Sequence, residues 1–194
     1  EQALRAALSA VLVSPDFLFL RELPGRLDDF ALASRLSYFL WSTMPDDELL
    51  SVAEQRKLSQ PATLRVQVER LLNHPRAAQF TENFTGQWLG LRDIDFTMPS
   101  HIHYPEYDDM LKVSMVRETE LFFAELLRHD LSLTNFIASD FSMLNGRLAK
   151  HYGIPGVSGF AFQKVRLPPE SHRGGLLTMA DRKSTRLNSS HLGI

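Results

Sequence analysis

Residues 106–129 read Glu-Tyr-Asp-Asp-Met-Leu-Lys-Val-Ser-Met-Val-Arg-Glu-Thr-Glu-Leu-Phe-Phe-Ala-Glu-Leu-Leu-Arg-His, and this run decides the fold class. With side chains placed at the helical period, Leu111, Met115, Phe122 and Leu126 share one stripe. Val116, Phe123 and Leu127 widen that stripe on one side. So wide an apolar sector belongs to a central helix, and the spacing predicts a long helix from about Glu106 to His129 with the core built on it.

Working outward, three more segments carry apolar residues at i, i+4, i+7 and i+8. They are Leu4, Leu8, Val11, Leu12; Leu32, Leu36, Phe39, Leu40; and Leu64, Val68, Leu71, Leu72. Each set lies on one helical face and is expected to bury it. The connectors between them are unlike, so the pattern reads as bundle helices and not as a solenoid repeat. The punctuation agrees. Pro24-Gly25 separates the first two segments, and Asp28 or Asp29 can cap the second. Thr43 followed by Met44-Pro45-Asp46-Asp47-Glu48 reads as a helix start, and Ser59 can cap the next helix, with Pro61 in its first turn. That helix ends near Asn73-His74-Pro75. A further one aligns Ala77, Phe80, Phe84, Trp88 and Leu91 on one face.

After about Asp130 the segments shorten. A helical turn is expected near Thr134–Ala138, then a short helix capped by Asn145 and stopped by Gly153. Alternating Phe160, Phe162, Val165 and Leu167 suggest a short strand. The expected class is mainly α: an irregular multi-helix bundle around a long central helix, with a short loop- and strand-rich C-terminal part. The expected organisation is a helical domain over residues 1–135 and the start of a second domain over 136–180.

The ends bear on that division. Glu1-Gln2-Ala3-Leu4 reads as the first turn of a helix already under way, so the natural protein is expected to begin earlier, and a missing signal peptide says nothing about location. Residues 181–194 read Asp-Arg-Lys-Ser-Thr-Arg-Leu-Asn-Ser-Ser-His-Leu-Gly-Ile, and Asp181 to His191 match the frame translation of a widely used sequencing adapter. We therefore leave this tail out of the fold. Without its three basic residues and one acidic residue, the chain's 21 and 23 leave a net charge of -4 in place of -2.

Composition narrows the chemistry. The 194 residues suffice for one substantial core or two small ones. No apolar run approaches the roughly 20 residues of a membrane span. The mild acidity gives no footprint for nucleic acid. The absence of cysteine excludes disulfides, thiolate zinc sites, a cysteine nucleophile and covalent c-type haem attachment within this segment.

Five groups of residues bear on chemistry. His101 and His103 fall on one side of an extended stretch, but two imidazoles with no third ligand do not make a metal site. Glu118, Glu125 and His129 line the rim of the long helix's apolar sector, and Glu125 and His129, four apart, can meet. Such a line can hold a metal or serve acid–base chemistry, but a rim ion pair assisted by the helix dipole is the commoner arrangement. Arg173-Gly174-Gly175 can aim backbone amides at an anion, or form a plain tight turn. Asp140, His151 and scattered serines do not compose a triad without a nucleophile elbow. Trp41, Trp88 and most of the thirteen phenylalanines are expected in the core. No catalytic, cofactor-binding or metal-binding residue is assigned.

Several phrases together resemble a known group. They are Ala33-Ser34-Arg35-Leu36-Ser37-Tyr38-Phe39-Leu40-Trp41 followed by Pro45-Asp46-Asp47; Phe84-x-x-Gln87-Trp88-Leu89; Glu118-Thr119; Leu144-Asn145-x-x-Leu148-Ala149-x-His151-Tyr152-Gly153; and Arg173-Gly174-Gly175-Leu176-Leu177. The chain resembles planctomycete-type secreted multidomain proteins of unknown function, which often carry a cytochrome c-like haem domain upstream. The resemblance covers nearly all of residues 1–180. It implies an extracytoplasmic location, secreted or periplasmic, and haem or other domains of the same polypeptide as partners. It points to haem c, where present, in the upstream portion; with no Cys-x-x-Cys-His motif here, none is assigned to this segment. It brings no catalytic residues with it. Two functions follow as expectations. One is a non-catalytic helical module linked to cytochrome c-type electron transfer. The other is a fragment of an extracellular enzyme acting on polymers with electrons passing to haem.

Overall fold

The computed structural model describes residues 2–19, 24–96, 99, 100 and 102–180. The helices along the first eighty residues are α1 (Gln2–Leu12), α2 (Pro15–Leu18), α3 (Asp29–Trp41), α4 (Asp47–Glu54) and α5 (Pro61–Leu72). They belong to the first of two compact units, Glu1–Phe80; the second is Thr81–Ile194.

In the first unit α3 packs on α4 and α5. Asp28 caps α3 by accepting from the Ala31 amide, while Asp29 accepts from the amides of Leu58 and Ser59 and ties the start of α3 to the α4–α5 connection. The core holds Ala33, Leu40, Trp41, Leu49, Ala53, Leu58 and Leu71. Burying each large apolar side chain here contributes about 1.5–3 kcal/mol. Trp41 also donates its indole N–H to the Leu71 carbonyl at 2.9 Å. The face of α3 that goes inward is Ala33, Ser37, Leu40 and Trp41, and Phe39 turns outward against Phe80. Small Ala33 and Ser37 suit the side on which a neighbouring helix can come close.

Several expectations shift at these helix ends. The helix start expected in the stretch from Thr43 to Glu48 falls at Asp46, the cap of α4: its carboxylate accepts from Leu49 N–H and grips Arg70 in a two-pronged ion pair at 2.6 and 2.9 Å. That guanidinium holds the Asp46 carboxyl below its usual range. Gln60, not Ser59, precedes α5, where Pro61 occupies the first turn and no side chain caps. The largest departure is α1. It forms, yet buries none of its residues, and Leu4, Leu8, Val11 and Leu12 are all more than half exposed. Its sequel α2 is a single turn, too short to cover that face.

The division between units falls within α6 (Ala78–Trp88). The second unit is organised on α7 (Asp109–Arg128), which starts later than the periodicity suggests because Asp108 caps it through the Leu111 amide. β1 (Phe141–Leu144), α8 (Gly146–Tyr152) and β2 (Gln163–Arg166) follow. β1 pairs antiparallel with β2, Phe141 opposite Arg166 and Leu144 opposite Gln163. Both β1 and α8 pack on α7. Leu111 and Met115 meet Leu144, Leu148, Ala149, Ile154 and Leu167, whereas Phe122 and Leu126 meet Phe141, Leu176 and Met179. All four residues of the expected α7 stripe are buried. With eight α-helices and one two-stranded sheet among the described residues, the class is mainly α. None of these helices is long and apolar enough to cross a membrane.

Candidate functional site

The buried side of α7 is not wholly apolar. Ser114, Glu118 and Thr119 go inside with Leu111, Met115, Phe122 and Leu126. Glu118, expected at the rim, is only 1% exposed. The reason is that β1, α8 and the stretch up to Ala180 close over this side of the helix. Ser142 Oγ, on β1, donates to Glu118 Oε1 at 2.5 Å, and Tyr152 Oη, at the end of α8, donates to Oε2 at 2.5 Å. Tyr152 Oη in turn accepts from the Ala180 amide at 2.8 Å, while the Arg173 guanidinium lies 3.7 Å from the centre of its ring. Thr119 donates to the sulfur of Met179, and Asn145 Nδ2 donates to Ser114 Oγ at 2.9 Å. Four segments thus meet on one carboxyl group and its neighbours.

Burial, and then the adjoining Glu118 charge, push the Tyr152 phenol above its ordinary value, so it stays a proton donor to the carboxyl. His151, on the same helix, goes the other way. Burial lowers it, nearby Arg173 and Arg147 lower it further, and Glu106 opposes them. At 1% exposure Glu118 offers no surface to a reacting molecule, and its two oxygens already accept from hydroxyls of this chain. The arrangement suits holding α7, β1 and α8 in one relation.

The other two members of the expected line stand apart from it. Glu125 lies two turns further along α7, roughly 10 Å by helical rise. It takes Lys164 Nζ at 2.9 Å and His129 Nε2 at 3.6 Å, with His129 itself 54% exposed. The structure therefore separates the line into a buried carboxyl and a rim ion pair. Among the described residues no three His, Asp or Glu side chains gather as metal ligands would.

A family model described as PSD4, protein of unknown function (DUF1592), matches residues 27–154. The chain belongs to the PSD4 family. The match takes in about two thirds of the chain, from just before α3 to just after α8. Of the phrases that carry the resemblance, only Arg173–Leu177 falls outside it. No curated protein and no solved structure matches the chain.

The PSD4 region and the residues after it account for the remaining candidates. The Gly174 amide donates to Thr178 Oγ1 at 2.9 Å, and that hydroxyl donates to the Gly175 carbonyl at 3.0 Å. The amide that would serve an anion is thus engaged in a tight turn. These glycines also answer a packing need: a Cβ on Gly174 would lie 2.6 Å from Ser139 O, and one on Gly175 2.6 Å from the carbonyl oxygens of Phe136 and Ile137. The turn borders an open cleft of about 440 Å³ that Asp140 and His172 also line. Asp140 is well exposed and 3.9 Å from Arg166. His103 is exposed in a turn, and His101 lies outside the described residues, as does the tail 181–194.

Trp88 departs from the expectation that places it with Trp41 and most of the phenylalanines in the core. It is 51% exposed, whereas Trp41 is 1% exposed. Trp88 stands edge-on to Phe136 at 5.6 Å, and Phe136 contacts Phe122 and Phe123. Phe17, Phe19, Phe30, Phe39, Phe96 and Phe160 are also more than half exposed. Ser142 and Tyr152, the partners of Glu118, do not stand out in the sequence. The one signal pointing to Tyr152 is its place in the His151-Tyr152-Gly153 phrase, which carries no hint of its partner.

Proposed function

We propose that this PSD4 chain is a non-catalytic helical module of a larger extracytoplasmic protein whose upstream portion holds c-type haem. The observation that carries the first half is the occupation of Glu118. Both of its oxygens accept from hydroxyls of the chain's own β1 and α8, and the group is buried. A carboxyl so placed fixes packing and presents nothing to a substrate. Glu125, the other acidic candidate, is engaged with Lys164 and His129. The haem linkage and the location outside the cytoplasm rest on the resemblance of the sequence phrases to secreted multidomain proteins.

Titration calorimetry of the chain with zinc, manganese and ferrous ions tests the module reading. Heats of weak, non-stoichiometric binding are expected; tight one-to-one uptake abolished by Glu118→Gln would overturn it. The haem linkage is tested on the full-length protein exported to the periplasm. It should show the absorption of a c-type haem, and its absence there would sink that half.

A further inference from the structure

The joint between β1 and α8 is built on an asparagine followed by a glycine, and both are demanded by the packing. Asn145 is 4% exposed and caps α8, its Oδ1 accepting from the Leu148 amide at 2.9 Å while Nδ2 donates to Ser114 Oγ. Gly146 has no room for a side chain: a Cβ there would lie 2.9 Å from both N and O of Gly159. Its own amide donates to the Gly159 carbonyl at 2.9 Å. We infer that Asn145-Gly146 is a spontaneous deamidation site held closed by these bonds, and released when the β1–α8 joint opens.

The chemistry needs only water. The Gly146 backbone nitrogen attacks Asn145 Cγ, the new N–Cγ bond forms as the Cγ–Nδ2 bond breaks, and ammonia leaves carrying the amide proton. Water then opens the five-membered imide at either carbonyl, leaving aspartate or isoaspartate. Glycine next to the asparagine leaves the attacking nitrogen unshielded. In the folded chain that nitrogen is engaged with Gly159, and the asparagine amide is held between Leu148 and Ser114. An isoaspartate would insert a methylene into the backbone between Ser142 and Tyr152, the two residues that grip Glu118. The lesion would therefore act on the buried network itself.

The test is to hold the full chain at mildly alkaline pH in native buffer and, in parallel, in guanidinium chloride. Proteolysis and mass spectrometry then read amide-to-acid conversion and isoaspartate at residue 145. Conversion is expected in denaturant, faster than at Asn73, Asn83 or Asn135, which precede bulkier residues. In native buffer it should be slower by about tenfold or more, as for a joint that must open locally first. Ser114→Ala, which removes the Nδ2 acceptor, should speed the native reaction and leave the denatured rate unchanged. Equal rates for the unaltered chain in the two buffers, or no preference for residue 145 in denaturant, would overturn the inference.

Discussion

Tyr152 donates its phenolic proton to Glu118 at 2.5 Å, and the same oxygen accepts from the Ala180 amide at 2.8 Å. One hydroxyl therefore ties α8 both to α7 and to the stretch that ends the described chain. Tyr152→Phe keeps the ring beneath Arg173 but removes the hydroxyl, leaving the Glu118 oxygen short of a donor and the Ala180 amide short of an acceptor. A loss of about 1–3 kcal/mol is expected, the cost of buried polar groups deprived of a partner. Urea denaturation followed by circular dichroism measures it.

The same residue sets an alkaline limit. Its folded value is raised above the ordinary 10.0, so its contribution is fully present below pH 10.0 and is lost as pH rises beyond it. Stability measured against pH should fall above that point, and less steeply in Tyr152→Phe. Tyr107, also raised by burial, remains to give the variant a residual slope.

His151 predicts behaviour at the other end. Its folded value is lowered from 6.5, so the neutral ring favours the fold; that contribution is present above pH 6.5 and is lost as pH falls below it. Proton NMR of the imidazole should give a midpoint under 6.5. Arg173→Gln should raise that midpoint, because one of the two arginine charges opposing protonation is gone. A midpoint at or above 6.5 in the unaltered chain would contradict this placement.

Two glycines of positive φ but different ψ, 24° at Gly153 and 176° at Gly175, should respond differently. Gly153 has φ +70° and nothing within 4 Å of where a Cβ would stand, so Gly153→Ala should cost about 1–2 kcal/mol for the left-handed conformation alone. Gly175, at φ +76° and ψ 176°, occupies a region that only glycine adopts readily and has carbonyl oxygens at 2.6 Å, so Gly175→Ala combines that backbone strain with overpacking of about 1–3 kcal/mol. Thermal denaturation of the two variants ranks them.

The tryptophans report on the two units separately. In Trp88→Phe the remaining Trp41 should emit in the blue and resist acrylamide. In Trp41→Phe the remaining Trp88, half exposed, should be quenched severalfold more readily. Equal quenching would be inconsistent with the placement of both rings.

Much of this architecture is legible in the sequence because it obeys the helical period. Leu111, Met115, Phe122 and Leu126 are buried as their spacing requires, and Asn145 and Gly153 bound α8 as their chemistry suggests. The period fails where burial depends on what covers a face. Leu4, Leu8, Val11 and Leu12 have the right spacing and stay exposed, while Glu118 has the wrong polarity and is buried. Covering is a long-range property: Ser142 and Tyr152 are 24 and 34 residues from Glu118 in sequence. β1 escapes the pattern for a related reason. Phe141-Ser142-Met143-Leu144 does not alternate, and its partner strand begins nineteen residues after it ends, at Gln163.

The polar belt on α7 lies between two apolar contact zones, with Leu111 and Met115 on one side and Phe122 and Leu126 on the other. Oily surfaces alone tolerate axial slippage, since a leucine displaced by one turn still finds another aliphatic neighbour. A carboxyl does not, because one turn away it would press against Leu144 or Phe141 with its oxygens bare. Glu118 therefore works as a detent: it fixes the height at which the long helix stops, and any partner that sought to slide α7 would first have to break two short bonds at once.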